Sequence, residues 1–323
     1  MAEPAYRATA FRSVEALVAG CADRGLRTAL VVDGASVPDL RATLASARLD
    51  GRSLFAGPDE EILRDEAPVL VPVGASDGAL VSRLAADEAA AFVVVGHVDD
   101  DARVLRHLRR WLSVRLPLAA PDRSEEDKPV FFRFFDPAIL TLFLATLTPG
   151  EAAAFGGPVA AWGAPRPDAT LWLPTEHTLA APPAVRGPDI FRIRPEQYAI
   201  LAQHSATAYE RALRAYLRDE FEAETRDLDA AGMDALIARA MEAGRRIEDT
   251  RPGAVTSLAV LYLLRPDIMT DDFVWAQVMG ANPEGRDPRK RAGLFEAYHF
   301  TDLETVEEFD AFYARLARFW EFY

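Results

Sequence analysis

A single cysteine, Cys21, occurs in 323 residues. A lone thiol closes no intrachain disulfide, which fits a reducing compartment. Because Cys21 follows Val14, Leu17 and Val18 on an apolar helical stripe, it reads as a packed small residue and not as a nucleophile. Lysine is almost missing as well, with only Lys128 and Lys290. Arginine carries the other positive charges, which reads as genomic bias. No apolar run reaches the roughly 20 residues of a membrane helix. The longest, around Ile139 to Leu147, is short and carries threonines. The N-terminal residues lack the basic, apolar, small-residue order of a secretory leader. The expected location is therefore the cytoplasm. Positive charge is in deficit, with 36 Lys and Arg against 50 Asp and Glu, for a formal net charge of -14. Such a surface repels nucleic-acid phosphates and anionic lipid, so neither a nucleic-acid partner nor stable membrane association is expected.

Catalytic signatures are missing too. There is no Gly-x-x-x-x-Gly-Lys-Ser/Thr loop, no Gly-x-Gly-x-x-Gly after a strand, no His-Glu-x-x-His and no Gly-x-Ser-x-Gly. His97, His107, His177, His204 and His299 are scattered, with no two at ligand spacing on one helix face. No catalytic residue, metal or cofactor is expected on these grounds.

What is present is half hydrophobic and about a quarter charged, an ordinary globular composition. Short apolar runs alternate with helical patterns. Thr28 to Asp33, Val69 to Val73, Ala91 to Gly96 and Val130 to Phe135 read as strands, with Pro72 arguing for an edge or strand end. Val37 to Ala47, Asp77 to Glu88 and Asp99 to Leu112 read as helices, and Asp136-Pro137 as the cap and first residue of another. This alternation predicts an α/β N-terminal lobe with a mixed, largely parallel sheet over residues 1–162. Six prolines between 163 and 188 mark a linker over 163–189 with short strands such as Thr170 to Leu173. Residues 190–323 read as an all-helical lobe, giving an α+β protein overall.

Four groups of residues invite a functional reading. Asp33, Asp99 to Asp101 and Asp136 stand at strand ends, where clustered carboxylates hold Mg²⁺ in phosphoryl enzymes. The competing reading is that they cap helices and turns. His107 and Arg109 flank the apolar stripe Val104, Leu105, Leu108, Trp111 and Leu112, placed to bond neighbouring loops or a partner. Arg133 interrupts four phenylalanines and needs an acceptor, with Asp136 or a strand-end carbonyl the nearest in sequence. The last helix carries Val306, Phe309, Tyr313, Leu316, Trp320 and Tyr323 at alternating spacings of three and four. That seam either closes the helical lobe or anchors a partner, for which Phe309, Tyr313 and Trp320 are the candidates.

Phe132-Arg133-Phe134-Phe135-Asp136-Pro137-Ala138-Ile139-Leu140 resembles a segment of domain-of-unknown-function family 4123, found in chaperones of type VI secretion effectors. Further pieces follow in that family's order. They are Leu30-Val31-Val32-Asp33-Gly34-Ala35, Ser53-Leu54-Phe55-Ala56-Gly57, Ala67-Pro68-Val69-Leu70-Val71, His107-Leu108-Arg109 and Phe155-Gly156-Gly157-Pro158-Val159. The resemblance covers about residues 27 to 162. Two positions depart from it: Ala138 stands where the family usually has arginine, and Gly156 where it often has phenylalanine. The resemblance implies a non-enzymatic adaptor that binds a secreted effector and loads it onto the spike protein of the type VI apparatus. A metal-dependent phosphoryl hydrolase built on Asp33, Asp99 and Asp136 is the alternative.

Overall fold

The computed structural model describes residues 4–264 except 88–89, 121–126, 166–167, 185–188, 247–249 and 251. The chain divides into two units, 1–202 and 203–323. In the first, β1 (Tyr6–Ala10) and α1 (Val14–Ala22) lead into β2 (Arg27–Val32), then α2 (Leu40–Ser46), β3 (Arg52–Ser53) and α3 (Pro58–Ile62). Next come β4 (Val69–Val73), α4 (Gly78–Ala86), β5 (Phe92–His97) and α5 (Asp101–Trp111). A small ribbon pairs β6 (Ser113–Val114) with β7 (Val130–Phe131). Then follow α6 (Pro137–Thr146), α7 (Pro149–Gly156), β8 (Val159–Ala164), β9 (Thr170–Pro174), α8 (Glu176–Ala180) and α9 (Pro195–Glu220).

Among the described residues, seven strands form one sheet in the order β1-β9-β8-β5-β2-β4-β3. Every pairing in it is antiparallel. The expectation of a largely parallel sheet is thus overturned, and the reason is topological. β4 and β5 do run parallel and are joined by a helical crossover, as a β-α-β pattern requires. The crossover, however, passes over β2, which lies between them and runs the other way. Apolar periodicity reports burial and not direction. β2 and β5 are buried along almost their whole length because helices cover both faces, so they read as continuous apolar runs.

The alternation of each strand divides the core. Leu30, Val32, Phe92 and Val94 face a layer formed by α1, α2 and α4. Ala29, Val31, Val93 and Val95 face α5, α6, α7 and the 132–135 turn. β3 covers only Val69 and Leu70 of β4, so Pro72 does lie where the sheet has an uncovered edge. β9, inside the proline-rich stretch read as a linker, is an inner strand between β1 and β8.

The run Val130 to Phe135 is not a fourth long strand. Only Val130 and Phe131 pair, and residues 132–135 turn, with Phe134 N–H donating to Phe132 O and Asp136 N–H to Arg133 O (both 3.0 Å). A strand buries alternate residues. This turn instead sends Phe132, Phe134 and Phe135 all into the core, at 5%, 0% and 1% exposure.

Capping fixes the helix starts. Asp100 Oδ1 accepts from Arg103 N–H (2.8 Å), and Asp136 Oδ1 from Ala138 N–H (2.8 Å) and Ile139 N–H (3.2 Å). Thr148 and Glu151 form a reciprocal capping box on α7. Cys21 is buried.

In the second unit, the later part of α9, α10 (Glu222–Thr225), α11 (Ala230–Arg246) and α12 (Pro252–Leu264) gather around Leu213, Leu217, Phe221, Met233, Ile237 and Ala259. Residues Ala254 to Tyr262 of α12 are all buried, which matches a helix that is apolar on every side. No described helix is long and apolar enough to cross a membrane. The helices expected beyond residue 264 lie outside the described residues.

Candidate interaction site

Asp33 ends β2 and is 3% exposed. Its carboxylate caps the following turn, accepting from Ala35 N–H (3.3 Å), and receives Arg133 Nη2 at 2.6 Å. The residue after it must be glycine for a steric reason. A Cβ on Gly34 would stand 2.5 Å from Ala67 O and 2.6 Å from Asp65 O. Burial pushes the Asp33 carboxyl up, Arg133 opposes that shift, and nearby Asp136 adds to it. The arginine thus answers a buried charge that would otherwise be costly. Of the acceptors expected from sequence, Asp136 or a strand-end carbonyl, Asp136 caps α6. Arg133 instead reaches a carboxylate 100 positions away in the chain.

Arg133 is itself about half exposed (side chain 47%), and its guanidinium lies 6.0 Å from the Phe135 ring centre. Phe135 contacts Phe131, whose ring is 6.0 Å away, and Phe131 contacts Phe55 at 5.7 Å. Phe131 is 51% exposed. A large aromatic ring half in water beside a half-exposed arginine is the composition that protein interfaces favour.

The Phe55 side of this surface is held from below by α5. Arg109 Nη2 donates to the carbonyls of Ser53 (2.9 Å) and Phe55 (3.1 Å). His107, two residues earlier, points elsewhere. Its Nε2–H donates to Phe155 O (2.8 Å), and burial lowers its pKa. Its ring packs over Gly157, which has φ +51° and where a Cβ would come within 2.4 Å of His107 Cε1. That glycine therefore permits both the left-handed turn and the ring contact.

The structure thus gathers Arg133, Asp136 and Arg109 around one surface and places His107 on another side of α5. Phe309, Tyr313 and Trp320 lie outside the described residues. Phe131 and Phe55 were not singled out from sequence. The available signal was that four adjacent phenylalanines exceed what one turn can bury.

The acidic residues at strand ends do not share an edge. β2 and β5 pair antiparallel with Arg27 opposite His97 and Val32 opposite Phe92, so Asp33 and Asp99 stand at opposite ends of the sheet. Asp99 instead pairs with Arg103 (2.7 Å). Among the described residues no three Asp, Glu, His or Cys side chains are grouped to hold a metal ion.

Fold and surface define a three-layer α/β domain with an antiparallel sheet and an aromatic–arginine patch at one end of it. Residues 30–154 match the sequence model of the family described as Domain of unknown function (DUF4123). No curated protein and no solved structure matches the chain. Four of the six segments that resemble the family contribute to the patch: the β2 end and its Gly34 turn, the Ser53 to Phe55 turn, the α5 segment through Arg109, and the 132–140 turn and helix start.

Proposed function

We propose that the protein is an effector chaperone or adaptor of type VI secretion, binding a cognate toxic effector in the cytoplasm and loading it onto the spike protein. The family is associated with type VI effectors in general, and the finer role is our reading. The observation that carries it is the patch of Phe131, Phe55 and Arg133. Phe131 and Arg133 are half exposed and Phe55 is partly buried beside them, on a rigid base, with the arginine fixed by a buried aspartate and the aromatic turn fixed by Arg109. Such preorganised anchors lose little entropy on binding and suit protein capture. The acidic surface, formally -14, favours a basic effector segment.

The test is co-purification of the tagged protein from cells expressing the complete secretion cluster. Recovery of an effector and of the spike protein is expected. The double substitution Phe131→Ser with Arg133→Glu should reduce recovery of at least one of them by about tenfold or more. If the wild-type chain recovers neither, the proposal fails.

A further inference from the structure

The two margins of the sheet are built differently. At one margin β3 covers only Val69 and Leu70 of β4, and Pro72 has no N–H to offer a further strand. At the other, β1 is the last strand, with β9 on its inner side. Their register is regular from Tyr6 opposite Pro174 to Ala10 opposite Thr170. Ala5 O accepts from Thr175 N–H (3.0 Å) before the strand, and Phe11 N–H donates to Ala169 O (2.7 Å) after it. Bonded positions alternate along an antiparallel ladder, so Arg7 and Thr9 direct their backbone groups at β9. The N–H and C=O of Ala8 and Ala10 therefore point away from the sheet, and among the described residues nothing bonds to them. Both alanines are exposed. β1 has no proline, lysine or bulge, the usual devices that keep an edge from pairing.

The side chains at this edge define what fits it. Trp172 stands opposite Ala8 on β9 and is only partly buried. Tyr6, Ala8 and Ala10 share its face, and the two alanines are too small to cover its ring. A bulky apolar side chain opposite Ala8 on an added strand reaches across to that ring. The other face presents Arg7, which is exposed and has no ion pair among the described residues. Toward an added antiparallel strand Arg7 occupies a non-hydrogen-bonded position, where facing Cα atoms come within about 4.5 Å. An acidic residue there complements it. This local charge is the reverse of the acidic surface as a whole. A second copy of the chain is a poor occupant. Residues 5–12 hold two arginines and no acid, so pairing edge to edge sets arginine near arginine.

We infer that β1 is a docking edge for an extended segment of the carried effector. The segment adds as an antiparallel strand, with a bulky apolar residue opposite Ala8 and an acid opposite Arg7. Main-chain bonds to Ala8 and Ala10 supply affinity, and the alternating side chains supply selectivity. The inference rests on the carrier reading only for the source of the segment.

The test uses the full chain and three probes. They are acetyl-Val-Thr-Phe-Glu-Val-amide, its counterpart acetyl-Val-Thr-Phe-Lys-Val-amide, and the glutamate peptide N-methylated at Phe, which cannot donate to Ala8 O. In antiparallel register Phe faces Ala8 and Glu faces Arg7. At saturation the glutamate peptide should slow hydrogen exchange of the Ala8 and Ala10 amides by about tenfold or more. Calorimetry should show it binding at least about threefold more tightly than the lysine peptide. Arg7→Glu should reverse that preference. Ala8→Pro removes an N–H that β9 does not use, and should abolish binding while the β9 amides stay protected. Equal binding of the N-methylated peptide, unchanged exchange at Ala8 and Ala10, or a preference that Arg7→Glu leaves in place would each overturn the assignment. If tagged wild type and Ala8→Pro recover the effector equally, the edge assignment falls and the carrier reading stands. If the peptides behave as described and the wild-type chain recovers neither effector nor spike, the carrier reading falls and β1 remains a strand-binding edge.

Discussion

The two faces of the sheet are packed with different materials. Beneath α1, α2 and α4 the core is mainly aliphatic, with Leu17, Leu30, Val32, Leu44, Val71, Leu84 and Val94 around buried Phe92 and with Phe11 partly buried at its margin. Beneath α5, α6 and α7 it is aromatic. Phe155 stacks on Trp162 with ring centres 4.4 Å apart, and meets Trp111 (4.8 Å) and Phe143 (5.2 Å) edge-on. Aliphatic packing is tolerant of shape, whereas edge-to-face rings have preferred angles. The aromatic face is also where side chains tie loops to helices. Arg109 and His107 hold backbone carbonyls there, and Arg194 joins Glu151 (2.8 Å) and the carbonyl of Thr146 (2.6 Å). One face supplies adhesion and the other supplies position, and the exposed patch grows from the second.

That contrast is open to direct attack. The largest effect should come from Phe155→Leu, which keeps an apolar side chain but loses several ring contacts, at about 3 kcal/mol. Leu17→Met on the other face, equally buried, should cost less than about 1.5 kcal/mol. Denaturant midpoints of the two variants decide the matter, and equal losses would erase the distinction. Gly157→Ala should follow at about 2 kcal/mol, because it combines a left-handed φ with a collision against the His107 ring.

Arg133→Met should cost about 1–2 kcal/mol at neutral pH, less than a fully buried pair because the arginine is half exposed. The sign with pH is definite. Burial already raises the Asp33 carboxyl, and losing the guanidinium raises it further. The charged form is then the penalised one. The deficit is therefore full at pH values above the variant's folded-state pKa and vanishes below the wild type's folded-state pKa. Stability curves for wild type and variant should converge in acid, and parallel curves would contradict the ion pair. His107 gives a smaller step of opposite origin. Its lowered pKa means that the unfolded chain takes up a proton first, so stability should fall as pH drops through about 6.5. His107→Gln should flatten that step. Phe131→Ser should change stability by no more than about 0.5 kcal/mol, since half the ring is already in water. A larger loss would mean that the ring belongs to the core and not to the patch.

Much of the architecture was legible from the chain alone, for identifiable reasons. β2, β4 and β5 are buried on both faces and announce themselves as unbroken Val and Leu runs. Asp100 and Asp136 sit where cap chemistry demands. What was hidden was pairing. Nothing in Val69 to Val73 or Phe92 to His97 says which strand lies between them, and the inference of parallel neighbours failed there. β1, with Tyr6, Ala8 and Ala10 against Arg7 and Thr9, alternates too weakly to stand out. Within the site, Arg133 was recognisable as needing an anion, because an arginine among phenylalanines must find one. That the anion is Asp33 depends on how β2 and the 132–135 turn meet, information that local sequence does not carry.

The strand order also bears on how the molecule is made and divided. The family match ends at residue 154, yet β5 is still waiting for β8, which begins at Val159. Likewise β1 pairs with β9 and stays without that partner until Thr170 to Pro174 have been synthesised. A fragment cut to 30–154 would expose the open edge of a central apolar strand, an invitation to aggregate. The segment recognisable by sequence is therefore smaller than the segment that folds, and the boundaries of any fragment should be drawn around the sheet.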